Sequence, residues 1–389
     1  MELGGCMKSI RLNLGAGDVP VDGYTSMDRK TGHEIYPLKH ADGSVDEIRA
    51  SHVLEHISHT QTLHVLIDWV RALKPGGLLK VAVPDLDVIY SLYQSESDAP
   101  IEGYLMGGHT DADDQHGAIF NYGKLYDLMK AAGLVGIERW TSEVKDCAAL
   151  PVSLNLQGYK VPEKWPKVGA VMSVPRLGFM DNFFCSYQLP KLGIELRKYS
   201  GAFWGQCLTR AIEESLEDGV EYILTVDYDT IFTRDDVQAL MLIMMQHPGI
   251  DALAPLQASR TKATPLMTIK QDGKNISNVP YETFEPPTTP ISTAHFGLTL
   301  IRAERLKRLP RPWFAGTPGK DGAWGDDRTD DDIHFWRQWE AAGFSLHLAN
   351  RVAVGHAELM IRWPGQDLQA IYQHPSEFWG EGKPGGLWK

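Results

Sequence analysis

Three groups of residues in this 389-residue chain have types and spacings that could do chemistry. Asp227-Tyr228-Asp229 follows the mostly apolar stretch 222–226. If the strand continues through them, successive side chains alternate faces, so two carboxylates point one way and Tyr228 the other. Paired carboxylates at a sheet edge suit a hard divalent cation such as Mn or Mg, with room for phosphate oxygens, although the same acids would also serve an acidic loop or a helix cap. Gly15-Ala16-Gly17 follows the strand-like stretch 9–14, where glycines let a backbone approach a ligand closely; Asp28 ends the next strand-like stretch, where a carboxylate can accept from both hydroxyls of a ribose. Finally, His52-Val53-Leu54-Glu55-His56 is an H-x-x-E-H pattern. On a helix its two imidazoles would share a face one turn apart, as zinc requires.

The elements that must position these groups alternate. In the first half, strands are expected at 9–14, 24–28, 45–51 and 78–85, with a helix capped by Ser58 whose Leu63, Leu66, Ile67, Val70 and Leu73 form an i, i+3, i+4 stripe. Pro75-Gly76-Gly77 stops that helix. About ten residues join the first two strands, near the lower limit for a crossover that contains a helix. The second half continues with a strand at 169–175, a helix at 202–219 closed by Gly219, a strand at 220–229, a helix capped by Thr233, a strand near 296–301 and a helix near 330–342. This rhythm predicts α/β architecture with largely parallel sheets. Residues 151–166 carry three prolines and no helical period, and are read as a linker between domains at 1–150 and 167–389.

Composition bounds the function. Apolar residues make up 43% and charged residues 23%, as in an ordinary soluble globular protein, and the length favours two domains. A net charge of −12 argues against broad electrostatic capture of nucleic acid. The basic run Arg302, Arg305, Lys307, Arg308 and Arg311 is read as a solvated helix face. Cys6, Cys147, Cys185 and Cys207 are far apart, which suggests neither a disulfide framework nor a thiolate metal site. The longest apolar run, 239–245, is too short for a membrane span, and a cytoplasmic location is expected.

The order of strand, Gly15-Ala16-Gly17, strand ending at Asp28, VDEIRASHVLEHI, amphipathic helix, LKPGG, strand and VPD resembles the class I S-adenosylmethionine-dependent methyltransferases, the small type 11 group most of all. The resemblance covers about residues 9 to 140. It implies that Asn13, Gly15, Ala16 and Gly17 border the methionine part of S-adenosylmethionine, that Asp28 holds the ribose, and that Ser51 and His52 sit at the pocket edge. It also puts His52 at a strand end, which removes the helical geometry behind the zinc reading, a pattern otherwise shared with inverted zinc metallopeptidases.

Residues 167 to 363 resemble the GT-A glycosyltransferases, family 2-like enzymes in particular. The carrying segments are RKYSGAFWGQCLTRAIEESLEDGVEYILTVDYDTIF, FGLTLIRAERL, TDDDIHFWRQWEAAGF and VAVGHAE. The resemblance implies a D-x-D metal site of Asp227 and Asp229 with His356 as a further ligand, Mn or Mg bridging to a nucleotide sugar, and Asp332, with Asp331 second, as general base. Arg176 and Arg260 would meet the nucleotide or diphosphate together with Asp227. Trp313 and Trp324 lie in an aromatic, glycine-rich loop that would close over donor and acceptor, or else belong to the core. Trp379 and Trp388 lie in a glycine-containing tail that would form a second flap or else be disordered.

The expected fold is therefore two Rossmann-like α/β domains, a class I methyltransferase fold followed by a GT-A fold. The leading expectation for the whole chain is metal-dependent transfer of a sugar to an acceptor hydroxyl with inversion, fused to an S-adenosylmethionine site. The acceptor would be a glycan or a hydroxymethylated pyrimidine of phage DNA. Alternatives are a front domain that is a non-catalytic acceptor-binding module, and a metal-dependent phosphohydrolase. The sequence assigns no sugar, no methylation acceptor and no oligomeric state.

Overall fold

The computed structural model describes residues 9–17, 19–95, 98–110, 114–175, 177–259, 264–325 and 327–388. The chain divides into two compact units, Met1–Trp165 and Pro166–Lys389. Both are α/β, each with its own mixed sheet and its own buried core.

The first unit runs β1 (Arg11–Leu14), β2 (Thr25–Met27), β3 (Val45–Ser51), α1 (Thr62–Ala72), β4 (Leu73–Pro84), α2 (Leu86–Gln94), α3 (Ile101–Met106), α4 (Tyr122–Ala131), β5 (Leu134–Arg139) and β6 (Ser153–Lys160). Its six strands lie in the order β2-β1-β3-β4-β6-β5; β1 through β4 pair in parallel, and β6 runs antiparallel to both β4 and β5. β1 and β2 are joined without a regular helix among the described residues, in keeping with the short connection.

Two expectations for this unit need correction. The stretch read as a linker contains β6, an interior strand of the sheet between β4 and β5. Its prolines, Pro151, Pro162 and Pro166, flank the strand, and Leu154, Leu156 and Gly158 face inward at a spacing of two, the period of a strand. The helix stripe is also displaced. α1 has Gln61 at its N-cap and buries Thr62, Val65, Leu66, Trp69 and Val70, while Ile67 stays 46% exposed. Two overlapping i, i+3, i+4 stripes compete there, and the one holding Trp69 wins because its indole removes the most apolar area from water and its Nε1 donates to the Ile35 carbonyl at 2.8 Å.

The second unit runs β7 (Val168–Ser173), α5 (Met180–Ser186), β8 (Glu195–Tyr199), α6 (Trp204–Glu217), β9 (Tyr222–Thr225), β10 (Thr230–Ile231), α7 (Arg234–Gln246), β11 (Ala252–Gln257), β12 (Met267–Gln271), β13 (Lys274–Ile276), β14 (Thr288–Pro290), β15 (Thr293–Ala294), β16 (Leu300–Arg302), α8 (Ala303–Arg308), α9 (Asp331–Ala341), β17 (Leu346–His356), β18 (Ile361–Pro364), β19 (Ala370–Gln373) and α10 (Pro375–Glu381). The main sheet has the order β10-β17-β11-β16-β9-β7-β8, with β14 on β17. β8, β7 and β9 are parallel, β16 is antiparallel to β9 and β11, and β11 and β17 are again parallel.

α7 begins with the expected Thr233 cap, strengthened by a reciprocal bond between the Asp236 carboxylate and the Thr233 amide. The expected strand near Phe296 is split: β15 ends at Ala294 and β16 begins at Leu300. The basic run is not simply solvated. Arg302 donates to the carbonyls of Met244, His247 and Ile250 past the end of α7, Arg305 pairs with Asp251 at 2.7 Å, and Arg311 pairs with Glu213. Carbonyls orphaned at a helix end explain the choice of arginine.

Candidate functional site

In the second unit, β9 ends at Thr225, and Asp227-Tyr228-Asp229 forms the turn into β10, closed by the Thr230 amide donating to the Asp227 carbonyl at 3.2 Å. Strand alternation is therefore not what aims these carboxylates. Tyr228 still faces away from the acids: it stacks on Phe179 at a ring separation of 6.4 Å and lines a separate apolar cavity. Asp227 lines a cavity of about 1050 Å³, whereas Asp229 is 2% exposed and lies against His356.

Pairing decides that meeting. β10 runs antiparallel to β17 with Thr230 opposite His356, and the Ala357 amide donates to the Asp229 carbonyl at 2.7 Å. His356 Nδ1 lies 3.1 Å from the Ala258 carbonyl, which can only accept, so Nδ1 carries a proton. Nε2 then faces Asp229 Oδ2 at 3.6 Å. In the neutral ring this puts a lone pair opposite a carboxylate, an arrangement that a cation between them would relieve. The donor set fits a divalent metal in that respect.

The opposite side of the cavity comes from α9. Asp330, Asp331 and Asp332 all line it. Asp331 accepts from the Gly316 amide, so it fastens the preceding loop, and a Cβ on Gly205 would come within 2.9 Å of its Oδ2. Asp332 accepts from the Ile333 amide at 2.8 Å. Burial, reinforced by the Asp330 and Asp331 charges, nevertheless raises its carboxyl above the ordinary aspartate value. Adjacent carboxylates on one helix turn thus have different tasks, one a loop anchor and the other a carboxylate of enhanced basicity.

Two lining residues lay outside the sequence reading. Gln257 is 3% exposed, and its amide donates to the Gly355 carbonyl at 3.0 Å. His295 donates from Nε2 to the Pro255 carbonyl at 2.9 Å and accepts the Gly297 amide on Nδ1 at 3.0 Å, so the ring is a fixed neutral tautomer; burial pushes its pKa down to about 4. Neither lies in a motif, and only the fold brings them to the acids. Gly297 is required here, since a Cβ would meet Thr230 Oγ1 at 2.6 Å and His295 Nδ1 at 2.8 Å.

The two loop tryptophans separate. Trp324 lines the cavity and is 63% exposed. Trp313 is 2% exposed, donates to the Leu309 carbonyl at 3.2 Å and belongs to the core, so it does not border the cavity. Arg311 lies over its ring. Trp379 on α10 is 83% exposed. Arg176 and Arg260 lie outside the described residues.

In the first unit, Gly15 takes φ +61° directly after β1, and its amide donates to the Met27 carbonyl at the end of β2 at 2.8 Å. A Cβ at Gly15 would lie 2.1 Å from Val53 Cγ2, so both conformation and space demand glycine. Gly17 takes φ +50° in open space. Asp28 Oδ2 accepts the Gly17 amide at 3.0 Å and Oδ1 the Lys30 amide at 2.9 Å, tying the loop to the end of β2. Each carboxylate oxygen keeps a second lone-pair direction for a ligand hydroxyl. Ala16 is buried at 8% exposure.

Asn13 has a structural partner that the sequence did not announce. It is 2% exposed, and its Oδ1 accepts from Arg49 at 3.2 Å; Arg49 in turn pairs with Asp146 at 2.6 Å. Ser51 Oγ is buried without a hydrogen-bond partner among the described residues. His52 follows β3 with φ +52°, outside any helix, and the residues 54–56 after it form a short 3₁₀ turn. The His52–His56 helical pair does not exist.

No protein-family model and no curated protein matches the chain. Among solved structures, a protein from STIV is 14% identical over 54% of this chain and 94% of its own, with a TM-score of 0.37. A SAM-dependent methyltransferase of Thermotoga maritima, described as a possible histamine N-methyltransferase, is 18% identical over 39% of this chain and 82% of its own, with a TM-score of 0.28. A SAM-dependent methyltransferase of Methanosarcina mazei is 13% identical over 40% of this chain and 94% of its own, with a TM-score of 0.30. Among the described residues, no helix is long and apolar enough to cross a membrane.

Proposed function

We propose that the second unit transfers a sugar from a nucleotide-sugar donor to an acceptor hydroxyl with inversion, in the manner of GT-A glycosyltransferases. The observation that carries this reading is one cavity lined by Asp227, His356 and Asp332, with Asp229 behind His356 and the Asp332 carboxyl raised. Asp227, Asp229 and His356 are the residues that would hold Mn or Mg, which when bound supplies neutralisation of the diphosphate's charge. Asp332 takes the proton of the acceptor hydroxyl as its oxygen forms the new bond to the anomeric carbon; the bond from that carbon to the diphosphate breaks, and the electron pair leaves with the nucleoside diphosphate. Trp324 offers a flat face to a sugar or base at the cavity edge.

Incubation of the full chain with a panel of nucleotide sugars, Mn, and glycan or hydroxymethylpyrimidine-DNA acceptors, read by mass spectrometry, tests this. Glycosylated acceptor with inverted anomeric configuration supports it. Sugar 1-phosphate and nucleoside monophosphate without glycosylation would favour a phosphohydrolase, and retention would remove Asp332 from the role of base.

The first unit is read as an S-adenosylmethionine-binding domain, supported by the Gly15–Gly17 loop tied to Asp28 and by the buried Ser51 hydroxyl, which has no hydrogen-bond partner among the described residues. Calorimetry with S-adenosylhomocysteine separates a cofactor site from a non-catalytic acceptor-binding module, which would give no heat.

A further inference from the structure

The H-x-x-E-H segment recovers a role through a residue far away in sequence. Glu55, His56 and His116 each offer one ligand atom, and those atoms lie within 4.8 Å of one another. His116 comes from the segment between α3 and α4. It is brought there by backbone pairing: the Gly117 and Ala118 amides both donate to the Glu55 carbonyl, at 2.7 and 3.1 Å, and the His59 amide donates to the Gly117 carbonyl at 2.9 Å. Gly117 permits this approach, since a Cβ there would lie 3.0 Å from the Ile57 carbonyl oxygen.

The two rings meet edge to face with centroids 4.9 Å apart. His56 Nδ1 is 3.3 Å from the Gln115 carbonyl. A ring nitrogen that donates to a carbonyl leaves the other with its lone pair available, which is the outer-shell pattern that orients histidine ligands.

The independent observation is Glu55 itself. Its carboxylate is buried at 1% exposure, and neither oxygen has a hydrogen-bond partner among the described residues. The group nearest to Oε1 is His52 Nδ1 at 3.2 Å. The His52 proton can be traced. Asn155 donates to the Ala148 carbonyl, so its oxygen accepts the Ser153 hydroxyl, and Ser153 Oγ must then accept from His52 Nε2 at 2.9 Å. Neutral His52 therefore turns a lone pair toward Glu55. A buried carboxylate facing nitrogen lone pairs is stable only with positive charge among them.

We propose that Glu55, His56 and His116 form a mononuclear site for a borderline divalent cation of the zinc class, with a fourth position left open. Two imidazoles and one carboxylate suit such an ion better than Mg or Ca, which favour all-oxygen shells. The rival is an imidazolium at His52 that alone compensates Glu55.

The test uses the full chain carrying Asp227→Asn and Asp229→Asn, so that the candidate metal site of the second unit does not contribute. After chelation, zinc is added and measured after gel filtration, and cobalt is added for its visible spectrum. One zinc per chain, intense four-coordinate cobalt bands, and at least tenfold weaker binding in His56→Gln and His116→Gln with His52→Gln unaffected are expected. X-ray absorption on the zinc-loaded chain needs no further substitution and should show two imidazoles and a carboxylate in the first shell. Absence of bound zinc, a first shell without imidazole, or loss of zinc in His52→Gln but not in His116→Gln overturns the proposal.

Discussion

Thr230 and His356 sit opposite one another across an antiparallel pair of strands, and that register sets Asp229 Oδ2 3.6 Å from the His356 imidazole. Residues 127 positions apart in sequence become one candidate ligand set because a two-residue strand returns along the end of an eleven-residue one. The arrangement leads from geometry to measurable chemistry.

Asp332→Asn is expected to lower kcat for sugar transfer by about 10²- to 10⁴-fold while leaving donor affinity nearly unchanged, the usual contribution of a general base. The pH profile carries the same information. The base acts deprotonated, and its carboxyl is raised, so the acid limb of the rate profile should fall at a pH above the ordinary aspartate range. Stability has the opposite sign: the folded state holds the proton more tightly, so this group destabilises the fold as pH rises through its raised value. Steady-state kinetics and urea melts across pH, compared with the variant, check both directions.

His295 should make the second unit acid-sensitive. Its folded value of about 4 lies below the unfolded value near 6.5, so the unfolded chain binds the extra proton between them and stability falls as pH drops through that window, by roughly 3 kcal/mol. His295→Gln should flatten the slope, and an unchanged pH dependence of chemical unfolding would refute the assignment.

Gly15→Ala and Gly17→Ala separate two demands on glycine. Both positions have positive φ, but only Gly15 would drive a Cβ into Val53. Gly17→Ala should cost about 1 kcal/mol from conformation alone, and Gly15→Ala distinctly more. Calorimetric melting of the first unit, together with S-adenosylhomocysteine binding, reads the difference.

Arg49→Met takes the guanidinium away from the half-buried Asp146 carboxylate, which keeps the Ala148 amide and the Ser142 hydroxyl, and from the buried Asn13 carbonyl. A loss of about 3–5 kcal/mol is expected, as for other broken buried pairs. Paired replacement of Arg49 and Asp146 by apolar residues should recover much of it, which a double-mutant cycle would show.

Much of the candidate site was legible along the chain. Gly15, Gly17 and Asp28 follow from glycine's conformational freedom and from strand ends, and Thr233 from helix-capping chemistry, all local effects within a few residues. Asp227 and Asp229 are placed by a turn and a cross-strand pairing, not by alternation within β9: Asp227 lines the cavity and Asp229 is buried against His356. Arg49, Gln257 and His295 left no local signal, since each acquires its role from partners dozens of residues away.

What the sequence determined by itself was the alternation of strands and helices and the kinds of chemistry available, because periodicity, caps and turn residues act over short range. Tertiary structure alone decided which stripe of α1 is buried, that 153–160 is an interior strand and not a linker, that Trp313 is core while Trp324 is exposed, and that His56 faces His116 and not His52. Those outcomes depend on competition for buried area and on pairing between distant strands. Such terms exist only once the chain has closed on itself.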